Sequence, residues 1–238
     1  MGSSGLGHQT HRDISITAMT DIETLDIPIL YSFRRCPYAM RARMALSVSA
    51  SQYAHREVVL RDKPEEMIVA SPKATVPVLV LPDGTVLEES LTIINWALAQ
   101  NDPEGWLPID PQQLAQTDSL ISENDGPFKH NLDRYKYSVR YDDVDPVEHR
   151  ENGAEFLAKL NKLLTQTKYL NGDSPGLADI AIFPFVRQFA NTDRSWFDRQ
   201  DLPALQEWLE DRLSSELFTG IMKKWPKWEK GSAEEIVA

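Results

Sequence analysis

The single cysteine of the chain, Cys36, stands in Phe33-Arg34-Arg35-Cys36-Pro37-Tyr38, where an apolar run from Ile27 to Phe33 gives way to a helical pattern from Tyr38 to about Ala50. A thiol in that place can be a nucleophile. Pro37 suits a first helical turn, because its fixed φ matches the helix and its missing N–H has no helical acceptor there. Cys36 is therefore expected beside a helix N-terminus, where unpaired amides, the positive dipole end and the neighbouring Arg34 and Arg35 favour thiolate over thiol. The spacing predicts a lowered Cys36 pKa. The competing expectation is a small buried hydrophobe, the usual fate of a free cysteine.

Three further clusters bear on that thiol. In Ala74-Thr75-Val76-Pro77-Val78-Leu79 a proline opens a strand, where it removes no ladder bond. A cis bond there would turn the backbone of Val76 outward to pair with an extended peptide; a trans bond would make Pro77 an ordinary edge-strand proline. Asp83-Gly84-Thr85-Val86-Leu87-Glu88-Glu89-Ser90 ends a strand and starts a helix, with Ser90 expected as the N-cap. A carboxylate and a hydroxyl beside free helix amides can also hold the amino and carboxylate groups of a ligand's amino-acid end. Lys63, just before Pro64, reads either as a solvated charge or as the partner of a ligand carboxylate.

The elements that must position these groups follow from periodicity. Ile27–Phe33, Arg56–Leu60, Val76–Leu81 and Thr85–Leu87 read as strands, the last two joined by the Asp83-Gly84 turn. Helical patterns cover Met40–Ala50, Pro64–Ala70 and the stretch opened by Ser90, with Leu91, Ile94 and Leu98 on one face. The order β-α-β-α-β-β-α predicts an α/β unit over 26–100 with a mixed four-stranded sheet. A turn-rich linker follows over 101–111, and 112–238 is expected to be an all-helical bundle, with a clear apolar stripe through Phe156, Leu157, Leu160, Leu163 and Leu164. Residues 1–25 read as a flexible leader.

Bulk properties exclude several classes. A net charge of −11 and a pI near 4.9 work against a nucleic-acid partner, which needs clustered Lys and Arg. An anionic substrate would need a local basic patch. No apolar run reaches membrane-spanning length, so no membrane role is expected. One cysteine forms no internal disulfide, and no secretory signal opens the chain, so a reducing cytoplasm is the expected setting. The five His residues have no metal-ligand spacing, there is no phosphate-binding glycine motif, and no metal is expected.

A strand-to-helix Cys36-Pro37-Tyr38, then Thr75-Val76-Pro77, then Glu89-Ser90, followed by a helical half, resembles the glutathione transferase superfamily over residues 27 to about 225. Cys-Pro-Tyr and the spacing from Lys63 to Val76 look most like its omega-class and other cysteine-type members. The resemblance implies a thioredoxin-like domain binding glutathione as co-substrate, with Cys36 as the catalytic thiol. It further implies Tyr38 beside the cysteinyl part, Lys63 at the glycine carboxylate, and Val76 pairing its backbone with the ligand ahead of a cis Pro77. Glu89 and Ser90 would hold the γ-glutamyl end, and a homodimer is usual in the superfamily. Gly176-Leu177-Ala178-Asp179-Ile180 resembles the family's buried capping box, with Gly176 where Ser or Thr is usual.

Residue 39 is Ala, so no Cys-x-x-Cys pair exists and a dithiol route is closed to the monomer. The reading that remains is a monothiol cycle through a glutathione mixed disulfide, serving thiol transfer, deglutathionylation or dehydroascorbate-type reduction. Two alternatives stay open: conjugation of electrophiles with a Tyr31 or Ser32 hydroxyl holding the glutathione thiolate, and a non-catalytic partner-binding protein of this fold. The second-substrate pocket is expected from the helical half, at Phe128, Asn131, Tyr135 and Trp196.

Overall fold

The computed structural model describes residues 22–238. Strand β1 (Ile29–Ser32) is buried along its whole length and pairs in parallel with β2 (Tyr53–Glu57), Ile29 opposite Ala54. On its other side β1 runs antiparallel to β3 (Val78–Val80), which pairs with β4 (Val86–Leu87). The Asp83-Gly84 turn between β3 and β4 places Gly84 at φ +84°, a backbone that L side chains rarely adopt. Helix α1 (Pro37–Val48) links β1 to β2, the short α2 (Glu65–Ala70) links β2 to β3, and α3 (Ser90–Gln100) follows β4. This is the mixed α/β unit that the pattern predicts and the thioredoxin-like domain that the resemblance implies, with shorter strands than expected.

Two corrections concern the sheet. The second strand lies at Tyr53–Glu57 rather than Arg56–Leu60. Its buried residues include His55 and Arg56, so the apolar run Val58-Val59-Leu60 marks the strand's exit, not its centre. The sheet has five strands, not four, in the order β4-β3-β1-β2-β5. Strand β5 (Glu235–Val237) returns from the helical half to pair antiparallel with β2, Ala54 opposite Ile236, so 112–238 is not purely helical. Three residues are too few to show a period-2 pattern, and only the open edge of β2 makes them a strand.

The helical half comprises α4 (Pro111–Glu123), a π-helical turn over Asn124–Phe128, α5 (Lys129–Lys136), a 3₁₀ turn over Ser138–Arg140, α6 (Pro146–Leu164), α7 (Leu177–Ala190), α8 (Arg194–Asp198), α9 (Pro203–Ser214) and α10 (Glu216–Ile221). Asp110, Asp145 and Asp193 accept backbone N–H bonds as N-caps of α4, α6 and α8. In α7 the fully buried Asp179 carboxylate accepts from the Gly176 and Leu170 amides and from the Trp208 indole. The reciprocal half of the capping box is absent because Gly176 has no side chain.

One apolar core runs through both halves, with α1 packed against α3 on one side and α7 and α10 on the other. A second, smaller core lies across the sheet from α1 and takes in Ile22, Leu25 and Ile27. Glu23 pairs with the fully buried Arg56 at 2.8 Å. The expected flexible leader is therefore anchored at its end, where Ile22 and Leu25 pack against the smaller core and Glu23 pairs with Arg56; residues 1–21 lie outside the described residues.

Candidate functional site

Cys36 is the residue before α1, with Pro37 at the first helical position. A tight turn delivers it: the Cys36 amide donates to the Phe33 carbonyl at 3.0 Å. Two buried groups fix that turn from behind. Arg43 on α1 donates to the Arg34 carbonyl at 2.7 Å and to the Phe33 carbonyl at 3.4 Å, and the Glu57 carboxylate accepts from the Arg34 amide at 2.8 Å. The thiol donates to the Val76 carbonyl at 3.6 Å, next to the cis Val76-Pro77 bond.

The seven residues expected around glutathione, Cys36, Tyr38, Lys63, Val76, Pro77, Glu89 and Ser90, line one cavity of about 740 Å³. Lys73, Glu88 and Asp125 also line it and were not anticipated. Lys73 Nζ lies 2.7 Å from Glu89 and 3.7 Å from Glu88. Asp125 reaches in from the π-helical turn of the helical half, bound by both terminal nitrogens of Arg41, at 2.9 and 2.5 Å. Arg41 is fully buried on α1; it also donates to the Ala181 carbonyl and lies 4.4 Å from the Phe185 ring. A helix with no polar face carrying Arg41 and Arg43 was the available signal, since such arginines must find partners inside. Asp125 had none, because its reach depends on the π turn.

Three expectations need correcting. Helix α3 starts at Ser90, so Glu89 occupies the N-cap position and makes no side-chain cap bond. Its carboxylate turns to Lys73, and Ser90 Oγ lies 3.5 Å from Arg41 as its acceptor. The Cys36 pKa is raised, not lowered: burial is the largest cause, opposed by the Ala39 and Tyr38 amides and then by the charges of Arg43 and Lys129. The helix-end argument acts in the expected direction and is outweighed by desolvation. The pocket guess also fails. Phe128 is a core ring 5.5 Å from Phe189, with Tyr135 and Trp196 on the same phenylalanine. Asn131 is held by His149 and the Pro127 carbonyl. None of the four lines the cavity at Cys36.

The hydroxyls offered for conjugation are committed elsewhere. Tyr31 accepts from Arg56 at 2.7 Å, and its pKa is pushed up to about 12, burial being the largest cause. Ser32 is buried and accepts from Arg43. Neither lines the cavity, whereas Tyr38 does. Among the described residues no group of three or more His, Cys, Asp or Glu is arranged to hold a metal ion, and no helix is long and apolar enough to cross a membrane.

The arrangement suits a small peptide with a zwitterionic end. Glu88 and Glu89, the start of α3 at Ser90, the Val76-Pro77 backbone beside the Cys36 thiol, and Lys63 all line the same cavity. Comparison with known proteins agrees. Residues 30–106 match the family model of the glutathione S-transferase N-terminal domain and 121–211 that of the C-terminal domain. The chain is 26% identical over 199 residues to glutathione S-transferase omega-1 of Sus scrofa, covering 83% of this chain and 77% of that protein. It is 29% identical over 201 residues to maleylacetoacetate isomerase of Rattus norvegicus, covering 80% and 90%. Among solved structures, a glutathione transferase family member from Pseudomonas fluorescens with two glutathione molecules bound superposes with a TM-score of 0.72 at 18% identity, covering 83% of this chain and 92% of that one. With both halves matched in order and the cavity built from each, the chain belongs to the glutathione S-transferase family.

Proposed function

We propose that the protein is a glutathione-dependent thiol transferase that works through a monothiol cycle on Cys36. The observation that carries this reading is the position of the thiol: it lies in the cavity wall, 3.6 Å from the Val76 carbonyl, while the Tyr31 and Ser32 hydroxyls are engaged by buried arginines. Glutathione would lie along Val76 and Pro77 with its γ-glutamyl end at Glu89 and Ser90, its glycine carboxylate at Lys63 and its sulfur near Cys36 and Tyr38. The Cys36 thiolate attacks the glutathionyl sulfur of a mixed disulfide. The old S–S bond breaks, the released thiolate takes a proton, and a Cys36–glutathione disulfide forms. A second glutathione thiolate then attacks that sulfur, giving oxidised glutathione and restoring Cys36. Burial pushes the Cys36 thiol up; the Tyr38 and Ala39 amides are the groups that stabilise the thiolate as it forms.

The same reading takes 26–100 as the glutathione-binding unit and 112–238 as the unit that shapes the acceptor pocket, in a cytoplasmic homodimer. Identity to an omega-1 transferase supports the cysteine-type assignment. The test is a panel of disulfide exchange, protein deglutathionylation, dehydroascorbate reduction and aryl-halide conjugation, run on the parent and on Cys36→Ser. The first three should be catalysed, and Cys36→Ser should lose disulfide exchange by at least roughly 1000-fold, because an alcohol at neutral pH forms no disulfide. Aryl conjugation should survive or rise in that variant, since the new hydroxyl can donate to the glutathione thiolate. Full disulfide exchange by Cys36→Ser would make the cysteine a bystander. Glutathione binding without turnover in any arm would leave a binding module.

A further inference from the structure

Cys36 is held in place by residues that do not line the cavity it faces. Both backbone polar groups of Arg34, ahead of the thiol in the same turn, are gripped by side chains. The amide donates to Glu57 Oε1 at 2.8 Å, and the carbonyl accepts from Arg43 Nη2 at 2.7 Å. Glu57 closes β2, and its other carboxylate oxygen, Oε2, lies 3.1 Å from His55 Nε2. Strand alternation puts the side chains of His55 and Glu57 on one face of the sheet. The imidazole is 2% exposed, its ring stacks on Trp225 at 5.4 Å, and its Nδ1 has no hydrogen-bond partner among the described residues. A neutral imidazole carries one N–H, and with Nδ1 unpartnered the network assigns that hydrogen to Nε2, donating to Glu57. Each oxygen of the carboxylate is therefore committed, one to the imidazole and one to the backbone that leads into the thiol.

The segment after α10 closes this arrangement from the far side. Trp225 covers His55, the Trp228 amide donates to the Glu57 carbonyl at 3.0 Å, and the Ile221 carbonyl accepts from Arg43 Nε at 3.1 Å. A histidine buried with one ring nitrogen unmatched costs stability, and an apolar ring of similar shape would avoid that cost. The chain carries the histidine at the one place where its other nitrogen orients the carboxylate that holds the thiol's turn.

We propose that His55 and Glu57 are positioning residues for Cys36. The imidazole fixes the carboxylate, and the carboxylate fixes the Arg34 amide. The turn that the Cys36 amide closes on the Phe33 carbonyl then aims Sγ at the Val76 carbonyl in the cavity wall. The effect on turnover rests on the thiol-transfer reading; the hold on the turn does not. Attack on a disulfide needs the incoming sulfur aligned with the bond it breaks, so a loosened turn slows the chemical step. Neither His55 nor Glu57 lines the cavity, so ligand binding is left alone.

Glu57→Ala, Glu57→Gln and His55→Phe test it in the full chain, the last keeping an aromatic ring against Trp225. With the glutathione mixed disulfide of 2-mercaptoethanol as substrate, kcat should fall roughly tenfold in Glu57→Ala and about threefold in His55→Phe, with KM within about twofold of the parent. Glu57→Gln should recover most of kcat, because its amide oxygen still accepts from the Arg34 N–H. The second measurement needs no turnover. Hydrogen exchange at the Arg34 amide, read by NMR, should quicken about tenfold in Glu57→Ala and His55→Phe while the amides of β1 keep their parent rates. Parent kcat in Glu57→Ala, or a raised KM at parent kcat, overturns the proposal, and so does an Arg34 amide that exchanges at the parent rate. Quickened Arg34 exchange in a protein that turns over no disulfide rejects thiol transfer and leaves the hold on the turn standing. If Glu57→Ala does not fold, His55→Phe carries both readouts, and parent values of kcat and Arg34 exchange in that variant reject the positioning role.

Discussion

The two flanks of Cys36 handle charge in opposite ways. On the α3 side, Lys73 sits against Glu88 and Glu89, and Asp125 is clasped by Arg41. Among the described residues, none of Arg34 and Arg35 in the turn before α1, Lys136 at the end of α5 and Arg187 on α7 forms an ion pair with a carboxylate. A ligand entering the first flank exchanges partners with groups already held in place, so selectivity there comes from geometry. Charges left without an ion-pair partner set up a field that salt screens.

The largest effect should come from breaking the paired flank at its most buried point. Asp125→Ala leaves the guanidinium of Arg41, which is fully buried, with only a carbonyl and a hydroxyl. That should cost about 3 kcal/mol in denaturant unfolding. Lys136→Gln on the other flank removes a repelling charge and should cost nothing. Similar losses from both changes would erase the distinction between the flanks.

A smaller effect is expected for ligand binding. Glu89→Ala or Lys63→Ala should weaken glutathione by about 1–2 kcal/mol in a direct titration, through loss of one charge-assisted contact. If both variants bound as tightly as the parent, the glutathione site would have to be elsewhere.

The smallest effect concerns the thiol between the flanks. Because burial raises the Cys36 pKa, its alkylation rate in the ligand-free protein should climb only above the ordinary thiol range, about 8.5. The linked stability has the matching sign: the neutral thiol's contribution is complete below the unfolded pKa and is lost as pH rises through the higher folded value. An alkylation rate already level near neutral pH would mean that the Tyr38 and Ala39 amides, with Arg43 and Lys129, outweigh burial.

Local signals account for most of what the sequence revealed. Pro37 after Cys36, Asp83-Gly84 between two strands and the apolar stripe of α6 each carry a short-range physical cause, and each appears in the fold at its expected place. Of the seven cavity residues, Cys36, Lys63, Val76, Pro77, Glu89 and Ser90 carry local chemical cues, and Tyr38 came forward only through the resemblance to the glutathione transferase superfamily. What stayed hidden depends on distant partners. Asp125 enters the cavity through a π-helical turn, and Phe128 faces the core where pattern position suggested a pocket. The sign of the Cys36 shift depends on how much protein covers the thiol, which no stretch of neighbouring residues encodes.

Strand β5 imposes an order on assembly. Its partner β2 is synthesised 178 residues earlier if Arg56 and Glu234 mark the two, the separation across which their side chains meet. Until Glu234–Val237 emerge from synthesis, the outer edge of β2 presents unpaired amides and carbonyls, and Arg56 has Glu23 as its only carboxylate partner of the final pair. The nascent protein thus carries an open sheet edge over the 178 residues that separate Arg56 from Glu234, and the return of one short strand both seals that edge and brings a second carboxylate to a buried guanidinium.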